Sequence, residues 1–170
     1  MSRFLLIPAV LGMISVATAT VASGAPAEPD TDTVSPIYGV SIPENYRQWH
    51  LIAPASEAEP IDELRVVLGN KTAVDAYHAG KLPFPDGTIL VKLAWKRRQS
   101  PEFGPATIPG EPTTVQVMVK NSTKYAASGG WGFGKFIGGK PADEAQHKTC
   151  FACHEARVQG HDYVFTRYAP

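Results

Sequence analysis

Residues 82–96 read LPFPDGTILVKLAWK. The first half is a turn: its prolines fix φ, and Asp86-Gly87 supplies residues that tight turns favour. The second half is a strand, because side chains of an extended chain alternate between two faces. Ile89, Val91, Leu93 and Trp95 share one face; Thr88, Leu90, Lys92, Ala94 and Lys96 share the other. Lys92 is the exception in this pattern, a charged residue between Leu90 and Ala94. A solvated lysine with its stem laid along the sheet accounts for it. A desolvated one would be partly deprotonated and nucleophilic.

Working outward, ELRVVLGN (63–70) and TTVQVMVK (113–120) read as strands, and GGWGFGKFIG (129–138) as a strand broken by glycines. Those glycines follow no strand-to-helix pattern, so they read as close packing or turns and not as a phosphate-binding loop. KTAVDAYHAGK (71–81) places Ala73, Val74, Ala76 and Tyr77 at helical spacing and ends on Gly80, a helix stop. A short helix is expected over about 43–49, followed by a strand. KRRQSPEFGPATIPGEP (96–112) reads as a long Pro/Gly-rich surface connection. Fifteen glycines and fifteen prolines favour short strands joined by turns. The expected class is α+β, a mainly antiparallel sheet with a few short helices.

The chain opens with one basic residue, Arg3, then a long apolar run and then small residues. That order is a secretory signal peptide, expected over 1–24, and it implies an exported, periplasmic protein. Residues 25–36, APAEPDTDTVSP, read as a disordered leader, leaving 37–170 as a single domain. Lys+Arg and Asp+Glu balance at 16 each. No basic field therefore argues for nucleic acid, and no later segment is apolar enough to span a membrane.

The two cysteines of the chain lie close together in KTCFACHEARVQG (148–160), as Cys150 and Cys153, with His154 beside them. A thioredoxin-like site would need an early strand and a βαβ unit around this motif, and zinc would want more ligands of the same kind. C-x-x-C-H is the attachment signature of a c-type haem: each thiol adds across one vinyl group, and the neighbouring histidine ligates the iron. One covalent haem c is the expected cofactor, with His154 as metal ligand. A sixth ligand is not evident. Met118 lies in an apolar strand, where methionine is more often core, and His50, His78, His147 and His161 each read first as surface or structural residues. An iron with one protein ligand keeps a position open for small molecules.

IPENYRQW, LPFPDGTILVK, GGWGFGKF, TCFACHEA and the closing DYVFTRYAP together resemble the cytochrome P-460 family, from about residue 40 to the C-terminus. The resemblance implies an exported mono-haem protein, commonly a homodimer, with a five-coordinate haem that oxidises hydroxylamine and handles nitric oxide. It makes Cys150 and Cys153 the thioether anchors, His154 the proximal ligand and Lys92 a lysine cross-linked to a haem meso carbon. It also implies Arg65 as a distal-pocket arginine, and a carboxylate shortly before the haem motif as general base: Glu144, with Asp143 as the alternative. Electrons would pass to a soluble c-type cytochrome. The competing expectation is a non-enzymatic gas binder similar to cytochrome c-prime-beta, which lacks the cross-link. Plain electron transfer ranks last for want of a sixth ligand.

Overall fold

The structure is a computed structural model that describes Met1 and residues 33–170. The expected signal peptide, apart from Met1, and the leader up to residue 32 lie outside the described residues. Six strands follow one another as an antiparallel meander: β1 His50–Glu57, β2 Glu63–Gly69, β3 Ile89–Gln99, β4 Thr107–Lys120, β5 Trp131–Ile137 and β6 Lys140–Pro141. Helix α1, Lys71–His78, connects β2 to the turn before β3, and helix α2, Glu144–Val158, follows β6. The α+β, mainly antiparallel expectation is met. No helix among the described residues is long and apolar enough to cross a membrane.

The two faces of β3 divide the core as its alternation requires. Leu90 joins a cluster with Val67, Phe133, Trp131 and the buried side of α1 (Ala73, Val74, Ala76), and Cys150 and Phe151 of α2 pack against it. Val91 joins Val117, Phe136, Val40 and Tyr125 on the reverse face, which Tyr46 and Trp49 help to cover. Helix α1 starts where Asn70 accepts the Ala73 N–H at 3.0 Å, and it stops at Gly80, φ +57°. The expected helix at 43–49 is only a 3-10 turn, Tyr46–Gln48.

Two boundaries differ from the sequence reading. Most of 96–112 is not a loose connection but the far half of the β3–β4 hairpin, with Arg97 opposite Pro109 and Gln99 opposite Thr107. Irregular register around Trp95 lets prolines stand in the ladder. The last residues of the expected leader are folded: Val34 bridges Ser41, and Ser35, 1% exposed, donates to the Phe133 carbonyl at 2.8 Å.

The glycines of β5 are explained by contact, as expected. A Cβ on Gly132 would lie 2.4 Å from the Tyr125 ring, and one on Gly134 would lie 2.8 Å from Phe136. Gly132→Ala is therefore expected to cost about 1–3 kcal/mol in denaturant unfolding, the usual range for overpacking. Gly104→Ala, with open space around it, should change stability little. Equal midpoints for the two variants would contradict this packing.

Candidate functional site

Helix α2 begins at an Asp143 N-cap, whose carboxylate accepts the Gln146 N–H at 2.8 Å. One turn later His147 is fully buried. Its Nε2 accepts the backbone N–H of Lys135 on β5 at 3.0 Å, and its Nδ1 lies 2.8 Å from the Asp143 carbonyl. That contact docks the helix on the sheet. The 3.6-residue period then carries Cys150 and His154 to the same side.

Both cysteines are free thiols, Cys150 half-buried and Cys153 exposed. Burial pushes the Cys150 thiol up, against the pull of Lys135 and Lys92. His154 lies between Phe133 and Phe165, ring centroids 5.0 and 4.9 Å away. Its Nδ1 is 2.6 Å from the Tyr163 carbonyl. A carbonyl only accepts, so Nδ1 carries the proton and Nε2 keeps its lone pair. Burial holds the His154 pKa below its ordinary value, which also favours the neutral ring.

This donor set fits a haem. Two free thiols and one oriented, neutral imidazole on adjacent turns are what a c-type haem requires. Among the described residues no three His, Cys, Asp or Glu side chains converge as a cage for a bare ion.

The sheet facing α2 carries a polar row. Val67, Lys92, Gln116 and Lys135 stand opposite one another on β2 to β5, so they share a face. Leu90, Met118 and Phe133 form the row beside them, and Arg65 and Ala94 the row beyond. Lys92 is half-buried here, and its pKa falls to about 8. Burial is the main cause; the positive charges of Arg65 and Lys135 add to it, while Glu57 and Glu63 oppose it. The solvated-lysine reading is thus replaced by the desolvated one.

Over residues 43–166 the chain matches the family model Cytochrome P460. The chain belongs to the cytochrome P460 family. Haem is therefore its cofactor class. No curated protein matches the sequence.

In this P460 chain Arg65 sits one row from Lys92 but does not stand free. Its Nε and Nη2 donate to Glu63 at 3.1 and 2.9 Å, and Nη1 pairs with Glu57. Glu63 is buried, which works to raise its pKa. The hydrogen bonds from Thr113, at 2.7 Å, and Arg65 outweigh this and leave it below the ordinary carboxylate value. Glu144 is placed differently. It lies in the exposed first turn of α2, paired with Lys148 at 2.7 Å, and that pairing lowers its pKa. Asp143 is occupied as the N-cap.

The two carboxylates whose charges reach Lys92 are therefore Glu57 and Glu63, which sequence reasoning missed. Glu63 was open to inference, two residues from Arg65 on one strand face. Glu57 needed the β1–β2 register, which sets it opposite Glu63. Among the candidate sixth ligands, His147 has both nitrogens engaged, His161 Nδ1 is 2.7 Å from the Val164 carbonyl, and His78 packs on Tyr168. His50 is exposed at the start of β1, and Met118 packs against the core cluster.

The depressed Lys92 pKa has a chemical consequence. In haem-free protein, acylation of Lys92 by an anhydride, read by peptide mass, should rise through about pH 8, because below that pH the amine is protonated. A Lys92 profile that rises only near the ordinary lysine value of about 10.4 would contradict its burial.

Proposed function

We propose that the chain is an exported c-type haem protein that oxidises hydroxylamine, with nitric oxide as a related ligand. The observation that supports it most is the desolvated amine of Lys92, pKa about 8, on the sheet face against which Cys150 and its helix pack. Cys150 and Cys153 would hold one haem by two thioethers, and His154 Nε2 would be its axial ligand. Lys92, reactive as a free amine at mild pH, would form a third link at a meso carbon. Exchanging a C–H and an N–H for a C–N bond gives up a pair of electrons and a pair of protons, so this maturation needs an oxidant such as peroxide.

When bound, the haem supplies an iron that takes electrons from the substrate nitrogen. The chain's own groups do the rest. His147, with both nitrogens engaged, and Met118, packed against the core, would not be drawn on as further ligands, which would leave room for a small substrate. Oxidation of hydroxylamine to nitric oxide sheds protons and electrons in equal number, so the site needs a proton acceptor. The resemblance assigns that role to Glu144; Glu57 and Glu63 are the carboxylates nearer to Lys92 in charge. Arg65 would orient an N–O group and offset negative charge on it. Electrons would leave to a soluble c-type cytochrome, and the protein would work as a periplasmic homodimer.

The second reading is a gas binder of the cytochrome c-prime-beta kind. The ion pair of Glu144 with Lys148 favours it, since that carboxylate is then not free to act as base. Lys92→Ala separates the two. Under the enzyme reading the cross-link should red-shift the ferrous Soret band of the parent, and the variant should lose that shift and hydroxylamine oxidation while still binding nitric oxide. A parent-like spectrum and parent-like turnover would refute it. Glu144→Ala should lower turnover by about two to four orders of magnitude if Glu144 is the base; unchanged turnover would pass the role to Glu57 or Glu63.

A further inference from the structure

The segment after α2 is held in an unfavourable backbone conformation by a buried ion pair. Asp162 and Tyr163 are consecutive non-glycine residues with φ of +49° and +63°, in the left-handed region that L-residues seldom occupy. Asp162 is fastened on every polar atom of its side chain. Lys120, the last residue of β4, donates to Oδ1 at 2.8 Å and Oδ2 at 2.9 Å, and the Phe84 N–H donates to Oδ2 at 2.8 Å. The Asp162 carbonyl accepts the indole N–H of Trp131 at 2.8 Å. Lys120 and Asp162 are nearly inaccessible, with side chains 6% and 8% exposed. The Lys120 ammonium also donates to the Gly129 carbonyl at 3.0 Å and lies 5.0 Å from the Trp131 ring centroid. On the other side the Tyr163 ring fills the space where Gly129 would carry a Cβ.

The next carbonyl in the chain, that of Tyr163, is the acceptor for His154 Nδ1. We propose that Lys120 and Asp162 are positioning residues for His154. They lock the left-handed turn, and the turn aims the Tyr163 carbonyl at Nδ1. The ring orientation is thereby fixed, and the hydrogen bond makes the imidazole a stronger donor to iron. A buried ion pair is weak evidence for stability by itself, because desolvation offsets its attraction. Here the pair has a geometric task that an apolar pair of equal volume would not perform.

This inference rests on His154 being the axial ligand, so the test must separate the two claims. The measurement is the iron–histidine stretching band of the ferrous haem-loaded protein by resonance Raman, together with its reduction potential. His154→Gly restored with exogenous imidazole should lose and regain the band; a band unaffected by this change would refute the ligand assignment itself. With the ligand confirmed, Lys120→Met/Asp162→Asn removes both charges with little change in volume. The band should move to lower frequency and the potential should rise, while Lys71→Met, in an exposed pair, should alter neither. Should the double variant fail to accumulate, Asp162→Asn alone, which keeps the acceptor for Phe84, is expected to show the same shifts at smaller size. Haem-loaded variants with a parent-like band and potential would overturn the positioning role.

Discussion

The contact between His147 and the backbone of Lys135 is the constraint on which the site depends. Strand β6 is only two residues long, so the outer edge of β5 would leave the Lys135 N–H without a strand partner. His147 takes that hydrogen bond from within a helix, while the Lys135 carbonyl accepts the Ala142 N–H at 2.8 Å. A buried donor left unpaired costs about 1–3 kcal/mol, so the helix has one favourable place to land. Everything downstream follows in steps of helical period. Cys150 reaches the apolar cluster one turn on, and His154 comes to rest between Phe133 and Phe165 a further turn on.

The same helix then faces a sheet on which a polar band adjoins an apolar row. Leu90, Met118 and Phe133 form that row, and Lys92, Gln116, Lys135 and Arg65 stand in the band beside it. Burying charge in such a place is costly unless it is paired. Arg65 meets the rule through Glu57 and Glu63. Among the described residues Lys92 has no such direct partner: burial first, and then the positive charges of Arg65 and Lys135, disfavour its charged form, and it gives up its proton at lower pH. Groups perturbed this way by burial and specific charges cluster at functional sites. On the proposed reading, the band would line the haem-facing side of the sheet.

Much of this was legible in the sequence because it depends on short-range pattern. Alternation in 88–96 separates Lys92 from the Val91 face, helical spacing and Gly80 delimit α1, and C-x-x-C-H points to haem, the cofactor class of the family. What could not be read depends on long-range register. The far half of the β3–β4 hairpin is masked by Pro109 and Pro112, which argue against a strand until the irregular ladder around Trp95 accommodates them. His147 reads as one more surface histidine until β6 proves too short to cover β5. Glu57 joins Glu63 beside Arg65 only once β1 and β2 are paired. Ser35 joins the fold through a carbonyl 98 residues away.

If one haem joins helix α2 to the Lys92 face of the sheet, proteolysis of the mature protein should release a single branched species. Mass spectrometry of the haem-containing fragments should then find one haem connecting the peptide bearing Cys150 and Cys153 to the peptide bearing Lys92. Haem found only on the Cys150–Cys153 peptide, with the Lys92 peptide recovered at its unmodified mass, would contradict that link.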